Sequence, residues 1–301
     1  MKISRRRFVW NASALAGGLL LGGSSFYKKG GALRFGMVTD SHYADREVSG
    51  TRYYRESMRK MKEFVSTMNH EAVDFVVHLG DFKDEDPKKH SEDTLHYLKR
   101  IESEYAQFQG PRYHCVGNHD VDSITKSQFL SQIENTGINP KSSYYSFDLG
   151  GVHFVVLDAN YHADGRDHFY AEGANWQDTN IPQSQLRWLE TDLNRGTLPI
   201  IVFCHHPLYE YYSGDHKYHV NNYQEVQQLM ETSGKVMAVF HGHVHREGHQ
   251  QINGIHYFTQ LGMVDYSGLE NNSFSIVEIS KRQMEIIGFK RVSSQNYSLK
   301  S

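Results

Sequence analysis

Cysteine is scarce: only Cys115 and Cys204 occur in 301 residues. A disulfide framework is thereby excluded, although two thiols in an exported chain could still pair with each other. Each ends an apolar run, where a small buried residue is the simpler reading, so free thiols are expected. Proline is scarce too, at six, and no Pro/Ser-rich linker, internal repeat or low-complexity tract interrupts residues 32–301. That argues for one domain, and the chain is long enough to bury a core without staples. Charge of one sign is missing as well: 32 basic against 35 acidic residues leave a formal net charge of −3. Such a balance gives no general attraction to nucleic acid or anionic membranes, so no nucleic-acid partner is expected.

The first 31 residues stand apart. "MKISRRRFVW" is basic, "NASALAGGLLLGG" is small and apolar, and "SSFYKKGGA" is polar. This is the layout of an export signal, and its apolar part is too short and Gly-rich for a comfortable membrane span. "SRRRFV" resembles a twin-arginine signal, read as Ser4, Arg5, Arg6 and then Phe8. An ordinary signal with a basic start is the alternative. No clear small-x-small cleavage site follows, so an uncleaved N-terminal segment is the one membrane contact expected. The protein is expected in the periplasm, or anchored and facing it. Residues 1–31 are thus read as signal and flexible segment, and 32–301 as the domain.

Within the domain, apolar runs alternate with helical spacing. "LRFGMVTD" (33–40), "VDFVVHLGD" (73–81), "RYHCVGNHD" (112–120), "PIIVFCHHP" (199–207) and "KVMAVFHGHVH" (235–245) read as strands running into loops. Between them, 53–69, 93–108, 182–194 and 222–232 carry helical patterns. Strand–helix–strand order argues for parallel pairing through right-handed crossovers. Gly150-Gly151, between two β-rich runs over 143–158, reads as a hairpin turn. Short β runs finish the chain, at "GIHYFTQ", "SFSIVEIS" and "QMEIIGFK".

Each of those five strands ends in a polar cluster: "TDSH" (39–42), "GDFKD" (80–84), "GNHD" (117–120), "CHHP" (204–207) and "HGHVH" (241–245). Ligands of open α/β sheets bind beyond the carboxyl ends of the strands, so the clusters should converge. Imidazole, carboxylate and amide oxygen together suit a pair of borderline divalent cations. Two such ions about 3.5–4 Å apart can share a hydroxide of lowered pKa that attacks phosphorus in line. The ligand shared by both must be a carboxylate, because one neutral imidazole nitrogen cannot serve two cations. A nearby histidine free of metal could then protonate the departing oxygen.

The series "DSH…GDFKD…GNHD…HH…GHVH" resembles the calcineurin-like metallophosphoesterase superfamily over essentially the whole domain. The resemblance implies an α/β fold, a four-layer α/β/β/α sandwich of two mixed sheets. It implies Asp40, His42 and His245 as ligands of one metal, Asn118, His205 and His243 as ligands of the other, and Asp81 as the bridge. His119 resembles the residue that meets substrate phosphate and leaving group, and Asp84 the acid that orients its imidazole. Purple acid phosphatases carry a Tyr ligand three residues after the bridging Asp; here that residue is Asp84, which argues against that branch. "YADREVSGTRYYRESMRKM" (43–61), "NIPQSQLRWLETDL" (180–193), "NYQEVQQLM" (222–230) and "GIHYFTQLGMVDYS" (254–267) resemble the ADP-ribose/CDP-alcohol diphosphatase branch. Two departures are His42, where Gln is expected in that branch, and His206, which is not the usual neighbour.

The resemblance implies a hydrolase of a phosphate ester or pyrophosphate bond, with Mn favoured over Fe or Zn, and the layout of residues 1–31 adds the expectation that it is exported. A small phosphorylated molecule, nucleoside-diphosphate-linked in the diphosphatase branch, would be its substrate. A general phosphomonoesterase or phosphodiesterase is the alternative within the enzyme class, and a silent binding scaffold the alternative outside it. Oligomeric state stays open. Around the motifs, Tyr209, Tyr211, Tyr212 and the 159–182 stretch (His162, Arg166, His168, Trp176) read either as site-mouth residues or as solvated loops. Arg52 reads as a surface residue by default, with contact to a second phosphate as the alternative. His241 and His249 read as strand-end or surface histidines, and His206 as a phosphate contact or a backbone-bonded residue. Apart from Asp84, "KDEDPKK" (83–89) reads as solvated.

Overall fold

The computed structural model describes residues 32–169, 175–214, 217–280 and 283–299; the export reading of residues 1–31 lies outside them. In chain order the first half runs β1 (Leu33–Val38), α1 (Ser57–Glu71), β2 (Phe75–His78), α2 (Ser91–Tyr105), β3 (Arg112–His114), α3 (Lys126–Leu130) and the hairpin β4 (Tyr145–Leu149) and β5 (Val152–Leu157). The second half runs α4 (Gln183–Leu193), β6 (Ile200–Cys204), α5 (Tyr223–Ser233), β7 (Val236–His241), β8 (Gly248–Ile252) and β9 (Ile255–Thr259). It closes with β10 (Ser273–Ile279), β11 (Gln283–Lys290) and β12 (Gln295–Ser298).

Two six-stranded sheets result, ordered β12-β11-β10-β1-β2-β3 and β4-β5-β6-β7-β9-β8. The expected parallel pairs are present, β1 with β2 and β2 with β3 in one sheet, β5 with β6 and β6 with β7 in the other. Antiparallel β10 against β1, and β4 against β5, make both sheets mixed.

Period-two alternation sets the layers. Phe35 and Met37 of β1, Phe75 and Val77 of β2, Phe154 of β5, Phe203 of β6 and Phe240 of β7 meet between the sheets. The intervening residues face outward: Val38 and Val76 receive Met61, Phe64 and Met68 of α1 and Ile101 of α2. On the other side Val155, Val202 and Val239 receive Leu186 and Leu189 of α4 and Met230 of α5. This is the four-layer α/β/β/α arrangement. Both cysteines are buried and free, Cys115 between the sheets and Cys204 under the second helical layer.

Three elements escape the apolar patterns. α3 is only five residues long, and its signal is a capping box between Thr125 and Gln128. β8 and β12 are edge strands of largely polar sequence, partnered only by β9 and β11, so no buried face marks them. Lys83 is a correction: it is fully buried, paired with Asp122, because the β2 loop folds inward toward the β3 loop.

Candidate functional site

The loops after β1, β2 and β3 meet those after β6 and β7 where the two sheets abut. Turning the chain back there forces an unusual backbone. Asp40, His42, Asp81, His243 and His245 have φ of 52°, 43°, 54°, 69° and 51°. Non-glycine residues hold that region at a cost of roughly 1–3 kcal/mol each, and such strain clusters at functional sites. Two glycines make the approach feasible. A Cβ on Gly242 would come within 2.0 Å of Thr39 Oγ1, and one on Gly117 within 2.2 Å of Asp81 N.

Asp40, His42 and His245 form the first donor group, with candidate ligand atoms all within 4.8 Å of one another. Asp40 Oδ2 accepts from Thr39 Oγ1 at 2.6 Å and from the His243 amide at 3.1 Å. Its Oδ1 is buried without a hydrogen-bond partner and lies 3.2 Å from His245 Nε2 and 3.6 Å from His42 Nε2. Both imidazoles are held from behind. His42 Nδ1 is 3.0 Å from Asp84 Oδ2, and His245 Nδ1 is 2.9 Å from Asp265 Oδ2. That leaves the two Nε2 atoms facing each other at 3.1 Å, an arrangement in which a carboxylate fixes the ring of a metal-binding histidine.

The second group is Asn118, His205 and His243. Asn118 Oδ1, His205 Nε2 and His243 Nε2 are all buried without a hydrogen-bond partner. His205 Nδ1 donates to the Leu79 carbonyl at 2.8 Å, which turns Nε2 inward. Asp81 stands between the groups: its Oδ2 is 3.2 Å from His205 Nε2 and 3.5 Å from His42 Nε2, while Oδ1 accepts the His119 amide at 2.8 Å. Orphaned donor atoms of these types, converging from both sides of one carboxylate, fit a pair of divalent cations.

Electrostatics agree with that fit. Burial disfavours charge on His205 and His245, yet Asp81 beside the first and Asp40 and Asp265 beside the second hold both pKa values up at about 9. Cations entering at neutral pH therefore displace protons.

His119 is the free histidine of the cluster. Its side chain is 28% exposed, with Nδ1 3.4 Å from Asp122 Oδ2 and 3.6 Å from Asp84 Oδ2. Asp84 thus stands beside His119 as expected, but it also hydrogen-bonds His42, and Asp122 is the nearer carboxylate to His119. The loop after β1 swings His42 between Asp84 and the first donor group, which spacing along the chain does not disclose. Accordingly, Asp84→Asn and Asp265→Asn should each weaken the first cation roughly 10–100-fold, read as metal affinity by calorimetry. An unchanged affinity in both would remove the orienting role from these carboxylates.

Sequence patterns leave Asp265 and Lys60 without a role. Lys60 of α1 is fully buried and its Nζ donates to the carbonyls of Met263, Asp265 and Tyr266 at 2.8, 2.9 and 2.7 Å. It thereby anchors the turn that aims Asp265 at His245. Their sequence signal is the branch resemblance alone, in which Lys60 lies in the 43–61 stretch and Asp265 in "MVDYS".

A cleft of about 480 Å³ opens over the site, and Arg52, Asp81, Asn118, His119, Trp176, Tyr218 and His243 line it among others. Arg52 is not the surface residue expected by default: its guanidinium lies 3.7 Å from Asp84 Oδ2. Tyr209 is not a mouth residue either; it is 2% exposed, in the core beneath α4 and α5. The aromatic wall is Trp176, with its ring 5.6 Å from that of His243, and Tyr218 at 6.1 Å. Elsewhere His241 is a structural strand-end residue, its Nδ1 3.0 Å from the Cys204 carbonyl oxygen, and His249 lies on exposed β8.

Known proteins resemble this chain in sequence and fold. A family model described as calcineurin-like phosphoesterase matches residues 33–247. The manganese-dependent ADP-ribose/CDP-alcohol diphosphatase of Oryza sativa subsp. japonica is 26% identical over 292 residues, covering 84% of this chain and 90% of the relative. The protein of that name from Arabidopsis thaliana is 24% identical over 310 residues, covering 87% and 96%. Among solved structures, a dimetal phosphatase from Danio rerio shares the fold, with a TM-score of 0.76 at 20% identity over 90% of this chain and 100% of that one. With two groups of orphaned donors joined at Asp81 and a family model spanning most of the domain, the chain belongs to the calcineurin-like phosphoesterases: it is a hydrolase of phosphate esters that works with two divalent metal ions.

Proposed function

We propose that this enzyme cleaves the pyrophosphate bond of small nucleoside-diphosphate-linked molecules, with manganese as its metal, outside the cytoplasm. The observation that carries the hydrolytic reading is the meeting of both donor groups at Asp81 Oδ2 on the floor of the cleft, with His119 beside them. We assign Asp40, His42 and His245 to one cation, Asn118, His205 and His243 to the other, and Asp81 to both. When bound, the cations supply Lewis acidity toward phosphoryl oxygens and lower the pKa of water.

The chain's own residues do the rest. His119, exposed to the cleft, hands a proton to the departing oxygen, and Asp122 with Asp84 holds its ring. Arg52 offers a cation to a phosphate beyond the scissile one. Trp176 and Tyr218, with ring centroids 6.2 Å apart and tilted by 58°, give a flat base a face to pack on rather than a parallel slot. The diphosphatase relatives' names support the substrate class, and the cleft volume suits a ligand of nucleotide size.

The deciding experiment is a hydrolysis panel with Mn²⁺, using ADP-ribose, CDP-choline, p-nitrophenyl phosphate and bis-p-nitrophenyl phosphate. Preference for the first two sustains the proposal. Turnover of only the nitrophenyl esters replaces it with a general phosphoesterase, and silence on all four with two metals bound replaces it with a scaffold. Trp176→Ala should raise KM for ADP-ribose by about 10-fold, as expected for one lost stacking contact, and leave KM for p-nitrophenyl phosphate alone. Equal effects on both substrates would detach Trp176 from base recognition. The export reading rests on "SRRRFV" and the apolar run after it. Fused to a reporter, residues 1–31 should direct it across the membrane, and Arg5→Lys with Arg6→Lys should stop this if the twin-arginine route is used.

A further inference from the structure

We propose that His206 supplies an additional imidazole to the second cation position, beside Asn118, His205, His243 and Asp81; the proposal rests on the assignment of that position above. His206 directly follows His205 at the end of β6, and it is 1% exposed. Both of its ring nitrogens are buried without a hydrogen-bond partner. The backbone-bonded alternative is thus absent from the structure. A buried polar atom left unsatisfied costs about 1–3 kcal/mol, so packing alone gives no reason to keep a histidine here. His241, one strand over, shows what a structural histidine looks like in this fold: its two nitrogens meet the Cys204 carbonyl at 3.0 Å and the Leu208 amide at 3.4 Å.

The direction of the ring is telling. Its centroid lies 4.5 Å from that of His243 and 4.9 Å from that of His205. One nitrogen from each of the three lies within 4.8 Å of the others. Two metal–nitrogen bonds of about 2.1 Å span at most roughly 4.2 Å, so closing by a few tenths of an ångström suffices for shared ligation. The position would then offer three imidazoles, one amide oxygen and the shared carboxylate. That set favours cations that accept imidazole over magnesium, which prefers oxygen.

The test uses the full chain, stripped with chelator and titrated with Mn²⁺, comparing the parent with His206→Phe and His206→Gln. Calorimetry reads stepwise affinities, and thermal unfolding is followed with and without metal. The parent should bind two ions; fewer than two would sink the underlying assignment rather than this proposal. Both variants should bind the first ion as the parent does and the second about 10–100-fold more weakly. Stripped His206→Phe should unfold at or above the parent's temperature, since an orphaned imidazole has been replaced by a hydrocarbon ring, while its metal-induced rise shrinks. Unchanged second-ion affinity overturns the proposal, and with turnover alone reduced it makes His206 a substrate contact. Earlier unfolding of both stripped variants, with both ions weakened alike, overturns it in favour of a structural residue.

Discussion

Asp81→Asn should slow phosphate-ester turnover by at least about 10³-fold, even with Mn²⁺ in excess. The substitution keeps the shape of the side chain, and an amide oxygen can still accept the His119 amide that now reaches Oδ1 at 2.8 Å. The fold around the site should survive. What disappears is the negative charge at Oδ2, which lies 3.5 Å from His42 Nε2 and 3.2 Å from His205 Nε2. A neutral amide there cannot offset two dications, and its NH2 group would face imidazole nitrogens if it turned the other way. Metal content by mass spectrometry should therefore fall below two per chain in step with activity. Two tightly held ions and near-parental turnover in this variant would remove Asp81 from the bridging position.

His119→Ala is expected to be the second-largest loss, about 10²–10⁴-fold for a substrate with a poor leaving group, the range for a positioned general acid. For p-nitrophenyl phosphate the loss should be far smaller, because nitrophenolate departs without a proton. A pH profile gives the sign. Burial works against the imidazolium, but the carboxylates of Asp84, Asp81 and Asp122 hold the pKa of His119 up at about 9. A raised pKa means the acid form is present at neutral pH and is lost as pH rises through that value. Bound dications lower the value by repulsion, so the alkaline limb should appear below pH 9 and vanish in His119→Ala. Asp122→Asn should move the limb to lower pH without reducing metal content. Equal losses on good and poor leaving groups would take the proton-donor role away from His119.

Nine residues of the site, Asp40, His42, Asp81, Asp84, Asn118, His119, His205, His243 and His245, lie in polar clusters legible in the sequence, and the family resemblance of those clusters is what singles them out. Each follows a β-type apolar run, and both the run and the donor type are local properties that a linear reading preserves. The layer order is legible only through the family resemblance, since alternation along β1, β5 and β6 says which side chains share a face but not which layer that face meets. The tertiary structure decides who holds whom. Asp84 serves His42 across 42 positions, and Lys60 fixes the turn of Asp265 across 205. Of the aromatic residues left open between site mouth and solvated loop, Trp176 joins Tyr218 in the wall of the cleft, whereas the helical layer covers Tyr209. Such pairings depend on how the two sheets pack and how each loop turns at a left-handed residue, so their geometry comes into being only when distant segments meet.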